Sequence, residues 1–154
     1  MDLSIERDRH IAPLIIRNIM TPRPRTVGPK TSVRTLQHLF ATYGFNAFPV
    51  VDEADSLLGI VTKLDLLRVF RPDPQRLFPA LSVLWAEHVD DVMRRRVVTL
   101  APDDAVTTAV DRMLSSRLRS LPVVEGRDRQ PRLVGIVSRG DVLTTLVFED
   151  HASH

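Results

Sequence analysis

The sequence predicts a mixed α/β (α+β) fold built from two copies of one small unit, each a small sheet with two packed helices. Three observations predict it. The stretch Gly59-Ile60-Val61-Thr62-Lys63-Leu64-Asp65 recurs as Gly135-Ile136-Val137-Ser138-Arg139-Gly140-Asp141. Other landmarks recur at a fixed spacing: Met20 and Met93, Thr26 and Thr99, and Pro49 and Pro122 are each 73 residues apart. The spacing becomes 76 at Gly59 and Gly135, so the turn from Glu125 to Arg132 carries three extra residues. A constant spacing with one gap, placed in a loop, marks an internal duplication. Finally, apolar periodicity gives each copy the same order: strand, helix, strand, strand, helix.

The elements follow in chain order. Arg17-Asn18-Ile19-Met20-Thr21-Pro22 reads as a short helix stopped before a proline. Thr26-Val27 forms a short strand, broken by Gly28-Pro29. Thr31 or Ser32 caps a helix whose stripe is Val33, Leu36, Leu39, Phe40 and Tyr43, and Gly44 suits its left-handed end. Phe48 to Val51 is a strand that tolerates Pro49 near its start. Asp52 to Ser56 turns the chain, Leu57 to Val61 is the partner strand, and Thr62 opens a helix carrying Leu66, Leu67 and Val69. The second copy repeats this, with a stripe from Val106 to Leu114, a strand from Leu121 to Val124, and a last helix after Ser138. Between the copies, Leu77, Phe78, Leu81, Leu84, Trp85 and His88 lie at helical spacing, with Trp85 assigned to packing. The expected division is residues 1–16 as lead-in, 17–71 as the first repeat, 72–89 as linker, 90–148 as the second repeat and 149–154 as tail.

With 154 residues, 44% hydrophobic and only 5% aromatic, the chain can bury a core that must be aliphatic. No apolar run reaches the ~18 residues needed to span a bilayer. The N-terminus has no signal-peptide pattern, so the expected location is cytoplasmic. The absence of cysteine excludes disulfides and thiolate chemistry. The net charge is only +2, and the one basic run, Arg94-Arg95-Arg96, reads as a solvated loop. Neither that run nor Arg23 and Arg25 comes with an aromatic stacking platform, which argues against nucleic-acid binding. The histidines lack metal-ligand spacing, and there is no nucleophile–base constellation or Gly-x-x-x-x-Gly-Lys loop. The expectation is therefore no enzyme, no metal and no obligatory cofactor.

The repeated closing motif carries the chemistry. Thr62 or Ser138 can serve as the N-cap of the following helix, with Asp65 or Asp141 in its first turn. A carboxylate can hold a sugar diol, while a hydroxyl with free helix N–H groups can hold an anion. The same residues can also do no more than complete a capping box.

The aliphatic-Pro-Val-Val strands and the Gly-x-x-Thr/Ser-x-x-Asp closings resemble the CBS domain, named after cystathionine β-synthase, in the tandem pair called a Bateman module. The resemblance covers Arg17 to Val147. It implies two repeats about a pseudo-twofold axis, two clefts, and an adenosine nucleotide (AMP, ADP or ATP) as effector. It also implies regulation of another, unidentified protein. Carried onto this chain, one cleft uses Asp141 for the ribose hydroxyls and Ser138 near the phosphate, with Thr26 and Phe45-Asn46-Ala47 around the adenine. The other uses Asp65 and Thr62, with Thr99 and Leu118-Arg119-Ser120. The phosphate-reaching position before the strand proline is Arg119 in the second repeat and Asn46 in the first, so the Asp141 cleft is expected to bind phosphate more tightly. Such modules commonly form homodimers, and the stripes Leu36 to Phe40 and Val106 to Leu114 are the expected seam. The alternative reading is a ligand-free dimerisation module. Nucleic-acid binding is the minor one.

Overall fold

In the computed structural model, which describes residues 14–70, 86–126 and 129–152, each copy folds its strands into a small antiparallel sheet with helices packed on it. The first copy contributes α1 (Ile16–Ile19), β1 (Thr21–Pro22), α2 (Val33–Tyr43), β2 (Ala47–Val51), β3 (Leu57–Thr62) and α3 (Lys63–Val69). The second contributes a 3-10 turn (Val89–Asp91), α4 (Val106–Ser116), β4 (Ser120–Glu125), β5 (Arg132–Ser138) and α5 (Arg139–Ala152). The expected linker helix through Trp85 lies outside the described residues.

Local chemistry sets these limits as expected. Ser32 Oγ accepts the Thr35 N–H at 3.0 Å and starts α2. Gly44, at φ 64°, ends it, since glycine enters the left-handed region without a steric cost. Asp52 Oδ1 closes the β2–β3 turn by accepting the Ala54 and Ser56 N–H groups, each at 2.9 Å. β2 (Ala-Phe-Pro-Val-Val) is buried along its whole length and pairs with β3 from Ala47–Thr62 to Val51–Leu57. The short Thr26-Val27 strand is reduced to one parallel bridge, Val27 to Val50, matched in the second copy by Leu100 to Val123.

The copies are not self-contained. β1 pairs with β5 of the second copy, Thr21 opposite Ile136, so the sheet order is β1-β5-β4. Reciprocally, Arg94 bridges Ile60 of the first copy through two backbone hydrogen bonds, 2.8 and 2.9 Å. The cores follow the same exchange. Ile16 packs with Leu100, Val106, Ala109, Leu121 and Val137 of the second copy. Ala86 and Val89 pack with Val33, Leu36, Phe48, Val50 and Val61 of the first. Each copy thus lends its leading segment to the other.

The exchange explains the glycine in the repeated motif. A Cβ on Gly59 would stand 2.6 Å from the Arg94 carbonyl oxygen and 3.0 Å from Met93 Sδ. A Cβ on Gly135 would meet Met20 Sδ at 2.5 Å and the Thr21 carbonyl oxygen at 3.1 Å. Between the copies, the Leu57 N–H donates to Pro131 O at 3.0 Å and the Leu133 N–H to Asp55 O at 2.9 Å. These residues correspond in the duplication, and Ser56 bridges its own counterpart Arg132. The pair is self-complementary, as a twofold contact requires, so the pseudo-twofold axis passes there.

The two helix stripes divide between core and surface. Leu36 and Phe40 are 0% and 5% exposed, and Val106, Ala109 and Met113 are also buried, while Leu114 at the end of the second stripe stays 75% exposed. Among the described residues, the large apolar side chains left outside are Leu64, Leu67, Leu114 and Leu143, with Phe45. Among the described residues, no helix is long and apolar enough to cross a membrane.

Alanine at Gly59 or Gly135 is expected to destabilise the fold by about 1–3 kcal/mol, the usual cost of overpacking. Gly59→Ala should cost more, because it strikes backbone where Gly135→Ala first strikes a flexible methionine. Urea unfolding measures both. Adding Met20→Ala should recover part of the Gly135→Ala loss. Adding Met93→Ala should recover less at Gly59.

Candidate functional site

The two closing motifs fold into the same local arrangement. Thr62 is the N-cap of α3: its Oγ1 accepts the Asp65 N–H at 3.2 Å, and Asp65 Oδ2 accepts the Thr62 N–H at 2.9 Å. Ser138 Oγ likewise accepts the Asp141 N–H at 3.1 Å, and Asp141 Oδ2 accepts the Ser138 N–H at 2.8 Å. Both are reciprocal capping pairs.

The surroundings of the two carboxylates differ. Asp65 is 3% exposed, the one buried charged residue among those described. Its Oδ2 also accepts the Thr62 hydroxyl at 2.9 Å, and its Oδ1 accepts Arg94 Nε at 3.1 Å and Arg68 Nη1 at 3.5 Å. Both oxygens are engaged, as a buried charge requires. Around Asp141, Thr21 and Thr144 occupy the positions that Arg94 and Arg68 occupy around Asp65. Asp141 is only half-buried, and its Oδ1 accepts no hydrogen bond among the described residues.

A cavity of about 500 Å³ opens between the copies, within the size range of small-molecule sites. One side is the β2–β3 end, with Asn46, Ala47, Thr62, Lys63, Leu64, Leu67 and Arg94. The other is the α4–β4 connection, Ser116 to Ser120. That connection is pinned from behind. The Arg139 N–H donates to Arg119 O at 2.9 Å, and the Arg139 side chain donates to Leu118 O and Arg117 O at 3.3 and 2.9 Å. Lys63, Arg94, Arg117 and Arg119 line the cavity, and among the described residues no acidic side chain does.

Of the residues singled out in the sequence, this cavity gathers Asn46, Ala47, Thr62, Leu118, Arg119 and Ser120. Asn46 and Arg119, expected to mark opposite clefts, face the same space. Asp65 lies behind it, reached through Thr62 and Arg94. Thr26, Phe45, Thr99, Ser138 and Asp141 do not line it. Phe45 stacks on Tyr43 with centroids 5.6 Å apart, and Arg25 lies 4.0 Å over the Tyr43 ring. The Thr99 carbonyl accepts a hydrogen bond from Arg112 Nη1.

Sequence reasoning missed Arg94, taken as part of a solvated run. It is held instead by the buried Asp65 and by its own backbone bridge to Ile60. The available signal was its place next to Met93 in the duplication, where the first copy has Thr21. Among the described residues, one possible metal-ligating group exists: His88, Asp90 and Asp91 have ligand atoms within 4.8 Å of one another. Its carboxylates are already used. Asp90 accepts from Lys30 Nζ at 2.9 Å, and the His88 and Glu87 N–H groups hold Asp91 below the usual carboxylate range.

A family model for the CBS domain matches residues 16–72 and 89–147. An inosine-5'-monophosphate dehydrogenase of Thermoplasma acidophilum is 30% identical over 146 residues, 95% of this chain and 25% of that enzyme. The chain spans about a quarter of the length of the first curated relatives it matches. The uncharacterized protein MJ1426 of Methanocaldococcus jannaschii is 27% identical over 87% of this chain and 92% of its own length. Among solved structures, CBSX2 of Arabidopsis thaliana in complex with AMP is 28% identical, covers 88% of this chain and 98% of its own, and superposes with a TM-score of 0.73.

The two caps should respond differently to truncation. Ser138→Ala is expected to cost about 1 kcal/mol, the usual value of an N-cap. Thr62→Ala should cost more, about 1–3 kcal/mol, because it also strips a donor from a buried carboxylate. Equilibrium unfolding of the two variants side by side checks the order.

Proposed function

The chain belongs to the CBS domain family, and on that premise we propose that it is a regulatory module whose paired repeats bind an adenosine nucleotide, of the AMP, ADP or ATP type, and act on another protein. It carries out no catalysis of its own and works in the cytoplasm. The observation that carries this reading is the Asp141 carboxylate beside Ser138. One oxygen is tied to the helix start, and the other has no partner among the described residues. A ribose diol can donate to that oxygen without displacing a protein group, and Asp141 is accordingly the ribose acceptor. The similarity to CBSX2, solved with AMP, supports the ligand class.

One observation favours a second reading, a ligand-free dimerisation module: both aspartates are already used as capping partners. Thermal shifts separate the two. AMP, ADP or ATP should raise the melting temperature more than guanine nucleotides do. At ~100 times its dissociation constant a ligand adds about 2.7 kcal/mol. No shift with any nucleotide at millimolar concentration leaves the dimerisation module. In titration calorimetry, Asp141→Ala should weaken AMP roughly ten- to a hundredfold, the worth of a charged hydrogen bond. Asp65→Ala should leave the tight phase nearly intact. The reverse pattern overturns the choice of cleft.

The same reading includes a homodimer, now through the apolar side chains left outside the cores. Leu114 and Leu143 are 75% and 60% exposed beside an α4–α5 groove lined by Val110, Met113, Val142 and Leu146. Sedimentation should show a dimer burying more than ~1,000 Å² in total. Leu114→Glu with Leu143→Glu should shift it to monomer, and a wild-type monomer at all concentrations rejects the seam.

A further inference from the structure

We propose that Met20 and Met93 are the sites of a reversible sulfur oxidation that loosens the join between the two copies. This goes beyond nucleotide binding and needs no ligand. Each methionine belongs to the segment that one copy lends to the other, and each sets its sulfur against the other copy's closing-strand glycine. Met20 Sδ stands 2.5 Å from where a Cβ on Gly135 would be, and Met93 Sδ stands 3.0 Å from the same point on Gly59. Both residues are half-buried, whereas Met113 is buried in the second core. Of the described methionines, the two at the crossing are therefore the ones that an oxidant in solution reaches. The chain has no cysteine, so any sulfur oxidation falls on methionine.

The reaction is that of a thioether with hydrogen peroxide. The sulfur attacks one peroxide oxygen, and an S–O bond forms as the O–O bond breaks. The departing hydroxide takes the proton from the sulfur-bound hydroxyl and leaves as water. Peroxide is reduced by two electrons, and methionine becomes its sulfoxide, which the methionine sulfoxide reductases return to the thioether with electrons from a dithiol. The product does not fit the join. On the glycine side, the nearby polar atoms are the Thr21 carbonyl oxygen, 3.1 Å from the Gly135 Cβ point, and the Arg94 carbonyl oxygen, 2.6 Å from that of Gly59. Both accept and neither donates, so the sulfoxide oxygen finds no partner there. The oxidised side chain must swing toward solvent, and the crossing loses the apolar contact that seats it. Duplication puts this arrangement in both halves, so two oxidations act on one join.

The test exposes the full chain, without ligand, to graded hydrogen peroxide. Peptide mass spectrometry maps the sulfoxides, and thermal melting follows the fold. Met20 and Met93 should each gain an oxygen before Met113 does. The melting temperature should fall by about 2–12 °C, the shift that an overpacking cost produces in a chain of this size. Treatment with the reductases and dithiothreitol should restore it, a readout that needs no variant. Met20→Leu with Met93→Leu keeps the volume, so it should melt close to the untreated wild type and resist the peroxide. Each single substitution should keep only part of the peroxide response. Met113 reacting together with the other two would mark general unfolding and overturn the assignment. Both sulfoxides formed with no change in melting would overturn it as well, as would an equal loss in the double variant. Calorimetry with AMP on the untreated chain runs alongside. A peroxide-sensitive, reductase-restored melting temperature in a chain that binds no nucleotide upholds this inference and removes the proposed function instead.

Discussion

The close approach of the two copies at the repeated glycines is the constraint on which the rest depends. Each copy's leading segment lies across the other's closing strand, and it fits only because that strand carries glycine. At Gly59 the Arg94 carbonyl comes within 2.6 Å of where a Cβ would be. At Gly135 the Met20 side chain does the same. From this approach follow the third strand of the β1-β5-β4 sheet, the Ile60–Arg94 bridge, and the sharing of Ile16 and Val89 between cores. Neither unit can complete its core alone, because each is too small to bury its own apolar face.

The same approach makes the two halves chemically unequal. Duplication places Thr21 and Arg94 at equivalent points beside the closing motifs. In one half the strand crossing brings a hydroxyl. In the other it brings a guanidinium, which the buried Asp65 holds at 3.1 Å. Asp65 therefore joins a network of backbone, hydroxyl and arginine donors, while one Asp141 oxygen accepts no hydrogen bond among the described residues. Removing one member of such a buried set leaves an uncompensated charge. Two differences at symmetric positions, Arg94 against Thr21 and Arg68 against Thr144, thus separate the two carboxylates.

Sequence alone determined the duplication, the order of elements, and most element ends. These rest on short-range physics. Ser32, Thr62 and Ser138 cap helices through hydrogen bonds three residues away, and Gly44 ends α2 through its own backbone freedom. The buried Ala47–Val51 strand shows in its own composition. The closing motifs, with their hydroxyl and carboxylate together, were legible for the same reason, as were the cavity walls at Asn46, Ala47 and Leu118 to Ser120 through family resemblance.

Only the tertiary structure decided which segments cross, and with them the character of the site. A two-residue strand such as Thr21–Pro22 has no periodicity to read, and its partner Ile136 is over a hundred residues away. Arg94 and Asp65 are 29 residues apart, so no local pattern pairs them. In sequence Arg94 looks like one of three solvated arginines, and only the strand crossing sets it against a buried carboxylate. Asn46 and Arg119, in turn, share one cavity because the two copies close around it. The apolar stripes were legible only in part for a related reason. Periodicity shows that a helix has an apolar face, but not whether its own core or another molecule will cover it, and here the core takes Leu36, Phe40 and Val106.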